Sequence, residues 1–276
     1  MELSWLESLI YGIISGLTEF LPISAEAHRA IFLRLIGAVD FPLLRFMVHL
    51  GVLLALLITC APILSKLNRE RKIAAVKKKR RKREPDARSL TDIRFLRISA
   101  IALVVMFVLY PGVYDLHERL WILAGFLIVN GILLYIPQFL PGANKDSRSM
   151  SSLDSLTVGI SGGLGVVPGL SRVALTISTS LMRGAEKRFA LDNALLLSIP
   201  ALGILALLDL IAVFSASAGV SFIVVLCCVT AGAGAFISAF LGMYIMRFLA
   251  VRAGFSSFAY YSWGLSLFSF ILYLMI

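Results

Sequence analysis

Charge is scarce in this chain. Only 15% of its 276 residues are Asp, Glu, Lys or Arg, against roughly 25% in an ordinary soluble domain. Acids are scarcer than bases, 16 against 26, for a formal net charge of +10. Cysteine and histidine number three each. Cys60, Cys227 and Cys228 lie in apolar runs with neither metal-ligand spacing nor a pairing pattern. They read as small hydrophobes, which excludes a disulfide scaffold and a zinc module. The stretch Met1 to Glu7 lacks a basic segment, so no cleaved signal peptide is expected. What is abundant is apolar: 59% of the residues are hydrophobic and the mean hydropathy is +0.91. So few charges cannot shield that much apolar surface from water. A soluble enzyme and a disordered chain are excluded, and an integral membrane protein remains.

The charge excess is local. Lys66 to Arg97 holds fourteen basic residues against four acids, Glu70, Glu84, Asp86 and Asp92, and so carries the whole +10. The rest of the chain balances at twelve against twelve. A short basic loop between apolar segments, drawn at 65–93, marks the cytoplasmic side of a membrane protein. It also attracts anionic lipid headgroups. Nucleic-acid binding would need interleaved aromatics or a folded reader module, and the run Lys77 to Arg83 has neither.

Six apolar stretches are long enough to cross a bilayer core of about 30 Å: 42–64, 94–112, 118–137, 188–213, 220–248 and 256–275. Their separators are the basic loop, Pro111-Gly112 with Asp115 to Arg119, the polar segment Pro141 to Asp154, a Ser/Gly turn near 215–219, and Arg247 to Gly254. Two further apolar regions are interrupted. Residues 4–36 break at Leu21-Pro22-Ile23-Ser24, and residues 153–183 break at Gly162-Gly163, Gly165 and Val167 to Arg172. Each half is too short to span, so both regions read as re-entrant helical hairpins. Irregular backbone at membrane depth survives only where protein buries it or a polar cavity wets it. The predicted fold is all-α, six transmembrane helices plus two re-entrant hairpins, in one domain over 1–276. Each half, 1–137 and 138–276, runs hairpin then three spans. Three spans are an odd number, so the halves have opposite orientation and form an inverted repeat. Interrupted segments in matching positions of two halves point to a binding site near the bilayer midplane.

Ionisable residues within a membrane are functional candidates by default. The first break offers Thr18, Glu19, Ser24, Glu26, His28 and Arg29; the second offers Ser171, Arg172 and Thr176. Carboxylates hold divalent cations, arginine grips phosphate oxygens, and serine or histidine attacks phosphorus or moves a proton. The set suits a phosphorylated ligand reached from within the membrane. Other readings stand beside it. Ser24 and Ser171 follow a helix-breaking proline and read equally as N-caps. Glu19 and Arg172 read as a buried ion pair, and His28 as an interfacial residue. His49, inside a span, reads equally as bonded to a neighbouring carbonyl or as a site residue, His117 as solvated in an outer loop, and Asp209 as snorkelling or paired. Tyr260, Tyr261 and Trp263 read as packing residues.

At these residues the sequence resembles the undecaprenyl-diphosphate phosphatase family, also known as bacitracin-resistance proteins. The family's first motif is close to E-G-x-T-E-F-L-P-V/I-S-S-T-G-H, and residues 15–28 read S-G-L-T-E-F-L-P-I-S-A-E-A-H. Its second is close to P-G-x-S-R-S-G-x-T, and residues 168–176 read P-G-L-S-R-V-A-L-T. The resemblance implies a multi-pass enzyme of the bacterial plasma membrane. It would hydrolyse a polyprenyl diphosphate lipid to the monophosphate carrier, aided by a divalent metal such as Mg²⁺ or Ca²⁺, with its site open to the outer face. By position, Glu19 and His28 would be catalytic with Ser171 and Arg172, the arginine clamping the diphosphate. Thr18, Ser24 and Thr176 would line the pocket. The family's leading glutamate is Ser15 here, which leaves Glu19 and, across the tip, Glu26 as the metal carboxylates. Where the family tends to carry an acid and a glutamine downstream, this chain has Arg45 and His49. The partners expected are the polyprenyl diphosphate, anionic lipids and a second copy in a homodimer; no nucleic acid is expected. The alternative is a transporter that flips a polyprenyl phosphate without hydrolysis, and the weakest reading is a non-catalytic membrane partner protein.

Overall fold

The computed structural model describes residues 3–141, 144–215, 221–252 and 255–275. Eleven α-helices make up these residues: α1 (Trp5–Glu19), α2 (Ala25–Ile36), α3 (Pro42–Ala75), α4 (Ala87–Ala102), α5 (Val105–Val113), α6 (Leu120–Tyr135), α7 (Ser152–Leu164), α8 (Arg172–Met182), α9 (Lys187–Ser215), α10 (Phe222–Arg252) and α11 (Ser257–Met275). Six helical stretches are long and apolar enough to cross a membrane: 42–75, 87–113, 120–139, 187–215, 222–249 and 257–275. The chain is a multi-pass membrane protein. Its large exposed side chains are apolar along these stretches, Ile58, Val108, Ile237 and Leu274 among them, as a lipid-facing surface requires.

Several boundaries differ from those read in the sequence. The basic region is mostly helix, not a loop over 65–93: α3 continues to Ala75, and α4 already begins at Ala87. Lys, Arg and Glu are good helix formers, so α3 keeps its hydrogen bonds after leaving apolar surroundings. Glu70, on that extension, accepts hydrogen bonds from Arg83 Nη2 (2.6 Å) and Nη1 (3.1 Å) and from the Asp86 N–H (3.0 Å), which folds the linker back onto α3. Asp86 caps α4, and its carboxyl sits below the usual range because the Ser89 hydroxyl donates to it at 2.7 Å. The span read as 94–112 is two helices, parted at Leu103-Val104. Arg247 is no separator, because α10 runs on to Arg252. The turn near 215–219 falls largely outside the described residues.

The two interrupted regions fold as short helix pairs, α1–α2 and α7–α8. Both pairs start with a capping box. In the first, the Glu7 N–H donates to Ser4 Oγ (3.3 Å) and the Ser4 N–H to Glu7 Oε2 (2.7 Å). Ser151 and Asp154 repeat the exchange at 3.1 and 2.8 Å. Proline, which has no N–H and cannot continue a helix, stands in each break. The second helix of each pair opens on a serine cap: Ala27 N–H donates to Ser24 Oγ and Ala174 N–H to Ser171 Oγ, both at 3.3 Å. Ser4 and Ser151, Glu7 and Asp154, Ser8 and Ser155, Gly12 and Gly159, Gly16 and Gly163, and Ser24 and Ser171 all stand 147 positions apart.

Packing follows the same exchange. α1 lies on α10, while α7 lies on α4. Each pair therefore rests on the second span of the other half. The contacts are close because the facing residues are small. A Cβ on Gly12 would lie 2.0 Å from the Ala231 carbonyl oxygen, and one on Gly16 2.1 Å from that of Ala235. On α7, a Cβ on Gly159 would lie 2.2 Å from the Ser99 oxygen. Between the pairs, Leu21 and Ile23 of the first break pack in one apolar cluster with Val173, Ala174 and Ile177 of α8.

Asn130, fully buried on α6, ties the two breaks together. Its Nδ2 donates to the Pro22 carbonyl (3.1 Å) and to Ser262 Oγ (3.0 Å), while its Oδ1 accepts from the Ser171 N–H (2.9 Å). One side chain thereby satisfies a backbone acceptor of one break and a backbone donor of the other.

Two outcomes follow for the purified protein in detergent. Gly12→Ala is expected to lower the melting temperature by the equivalent of about 1–3 kcal/mol through overpacking. Gly125→Ala, which meets nothing within 4 Å, is expected to leave it unchanged. Asn130→Leu strands the Pro22 oxygen and the Ser171 N–H, at about 1–3 kcal/mol each. A melting temperature equal to that of the unsubstituted chain would overturn the clasp.

Candidate active site

A cavity lies where the two breaks meet three of the spans. Its lining includes Glu19, Glu26, Arg29, Arg45, His49, Tyr110, His117, Ser171 and Arg172. Tyr110 and His117 stand at the end of the 87–113 span remote from the basic linker, so the cavity lies toward the opposite end of the helices from the charge excess.

Four of the expected residues line this cavity: Glu19, Glu26, Ser171 and Arg172. Glu19 and Arg172 form the buried ion pair, Arg172 Nη2 donating to Glu19 Oε1 at 2.6 Å, with both side chains 7% exposed. Arg29 bridges the two carboxylates. Its Nη1 lies 3.6 Å from Glu19 Oε2, and its Nη2 bonds to Glu26 Oε2. Ser171 lines the cavity while capping α8 and donating to the Leu21 carbonyl (3.4 Å).

The other four lie outside the lining. Thr18 Oγ1 donates back to the Ile14 carbonyl (2.7 Å). Ser24 is the cap of α2, at a left-handed φ of 62°. Thr176 packs against Gly162. His28 has both ring nitrogens engaged. Nδ1 lies 2.7 Å from the Ser24 carbonyl, an acceptor only, so Nδ1 carries the proton; Nε2 then accepts from the Tyr261 hydroxyl at 2.8 Å. The Tyr261 ring stacks on the imidazole. Ser15, at the position of the family's leading glutamate, is fully buried and donates to the Tyr11 carbonyl (2.6 Å).

Three residues away from the two breaks, Arg45, His49 and Asp209, join the cavity region. Asp209 on α9 accepts from Arg45 Nε (3.0 Å), from the Tyr110 hydroxyl (3.3 Å) and from His49 Nδ1 (2.6 Å). Arg45 also donates to Asp40 Oδ2 (3.0 Å). His49 is thus paired with a carboxylate, not with a neighbouring carbonyl. Arg45 and His49 stand four residues apart, one face of a helix, and that spacing of two ionisable groups inside an apolar run was the available signal.

A divalent cation would need the Glu19 and Glu26 carboxylates free to ligate it. Both carboxylates of the tip region are already held by guanidinium groups, and Arg29 takes the position between them. No group of three or more His, Cys, Asp or Glu side chains with metal-holding geometry occurs among the described residues. As arranged, these residues do not fit a divalent cation. They fit an anion: Nε of Arg29 and Nε of Arg172 are buried without a hydrogen-bond partner, and guanidinium N–H groups are built for phosphate oxygens.

Comparison with known proteins agrees with this chemistry. The family model described as bacitracin resistance protein BacA matches residues 8–268. The chain is 29% identical to an undecaprenyl-diphosphatase of Carboxydothermus hydrogenoformans over 262 residues, 93% of each chain. It is 33% identical to one of Micrococcus luteus over 202 residues, 72% of each chain. To one of Halothermothrix orenii it is 28% identical over 260 residues, covering 92% of this chain and 93% of the relative. With a family match over nearly its whole length and the paired breaks folded around one buried cavity, the chain belongs to the bacitracin resistance protein family.

Proposed function

We propose that this protein is a membrane phosphatase that hydrolyses undecaprenyl diphosphate to the monophosphate carrier lipid for cell-wall synthesis, with bacitracin resistance as a consequence. The observation that carries the reading is the pair of buried arginines, Arg29 and Arg172, which line a cavity between two broken helices and whose Nε groups have no hydrogen-bond partner. Buried N–H donors without acceptors are costly, and a diphosphate supplies the acceptors. Hydrolysis adds one water across the P–O–P linkage and yields lipid monophosphate and inorganic phosphate. In such a transfer the gain comes from charge stabilisation and positioning. Arg172 and Arg29 grip the phosphate oxygens, Glu19 and Glu26 hold the two guanidiniums in place, and the α8 N-terminus at Ser171 adds backbone donors.

Topology completes the reading. The two pairs are re-entrant hairpins, and the halves form an inverted repeat. The constant spacing of 147 positions and the exchange of packing partners support both statements. The basic linker lies on the cytoplasmic side of the plasma membrane, near anionic headgroups. The cavity then opens toward the outer face, where a lipid diphosphate is reached from within the bilayer.

The test is phosphate release from undecaprenyl diphosphate by the purified protein. The unsubstituted chain is expected to turn over. Arg172→Lys keeps a charge but loses the forked geometry, and is expected to lower kcat/KM by about 10²-fold, the usual cost of one charge-stabilising donor. Absent release by the unsubstituted chain would overturn the phosphatase reading.

A further inference from the structure

We propose that His49, oriented by Asp209, is the proton-transfer residue of this site. The inference rests on the phosphatase reading above. A carboxylate only accepts hydrogen bonds, so the 2.6 Å contact between His49 Nδ1 and Asp209 Oδ2 places the ring proton on Nδ1. In the neutral ring, Nε2 then carries the lone pair. That nitrogen is buried without a hydrogen-bond partner, on a residue that lines the same cavity as Arg29 and Arg172. Asp209 is itself fixed, its other oxygen accepting from Arg45 Nε and the Tyr110 hydroxyl. A carboxylate that sets the tautomer and the ring plane, with the opposite nitrogen left unpartnered, is the arrangement of a histidine general base.

No other expected proton carrier offers this. His28 donates through Nδ1 to Ser24 and accepts through Nε2 from Tyr261, outside the cavity lining. Position 15 supplies no carboxylate. Glu19 and Glu26 are held by guanidinium groups. In the proposed step a water attacks the terminal phosphorus. As the O–P bond forms, His49 Nε2 takes a proton from that water, and the imidazolium keeps its Nδ1–H on Asp209. The bond from the terminal phosphorus to the bridging oxygen breaks, and the proton returns to that oxygen on the leaving lipid monophosphate. Atoms and charge balance without any further reagent.

The experiment measures steady-state phosphate release from undecaprenyl diphosphate by the full-length protein, with Mg²⁺ present throughout. His49→Gln retains an amide donor toward Asp209 and removes the vacant nitrogen. It is expected to lower kcat by about 10²-fold or more, with KM within about threefold and an unchanged melting temperature. His49→Ala leaves a gap of imidazole size, and added imidazole is expected to raise its kcat at least about tenfold, while His28→Ala gains nothing from imidazole. His49→Gln turning over near the unsubstituted rate, a loss confined to KM, or the absence of imidazole rescue in folded His49→Ala would each overturn the proposal alone. A chain that releases no phosphate before any substitution overturns the phosphatase reading, and the proposal falls with it.

Discussion

Two helix pairs broken among buried apolar side chains leave backbone groups that need partners, and each such group is expensive to strand. The structure answers with a single buried amide. Asn130 accepts from one break and donates to the other, so both tips depend on the same side chain. The Glu19–Arg172 pair then crosses the same seam with opposite charges. A buried pair of this kind contributes little net stability, yet losing one partner is strongly destabilising. Its effect is to fix where the two tips sit, and the cavity is the space they leave.

What holds the two short pairs in place is backbone proximity. Lipid chains are as apolar as leucine, so helices in a bilayer gain from close packing more than from exclusion of solvent. Glycines on α1 and α7 let those helices approach α10 and α4 to within contact of the carbonyl groups. Because each short pair leans on the other half, the two halves interlock instead of sitting side by side.

The elements were legible from composition along the chain, because hydropathy, proline and charge act over tens of residues. Pro22 and Pro168 marked both breaks, and the six apolar runs located the spans. The limits of the helices were less legible. The helical extension to Ala75 follows from helix propensity and a fold-back onto Glu70, which a charge count reads as a loop. The parting at Leu103-Val104 has no proline or glycine to announce it; it sits against the small residues of α7, a contact made in three dimensions. The site was half legible. Glu19, Glu26, Ser171 and Arg172 sit at the breaks, where motifs concentrate. His49 and Asp209 are separated by 160 positions, and nothing local to either one indicates the other. His28 shows the converse: its motif placed it at the site, and Tyr261, 233 positions away, turned it aside.

The extension of α3 has a mechanical side. At about 1.5 Å per residue, its 34 residues make a rod about 51 Å long, against a hydrocarbon thickness of about 30 Å. The same rod carries Arg45 and His49 near one end and the basic turns, braced by Arg83 on Glu70, at the other. Pro62 lies between the two, so the helix lacks one backbone hydrogen bond on the way from the cavity to the basic turns. One helix thereby joins the wall of the cavity to the basic linker at its far end.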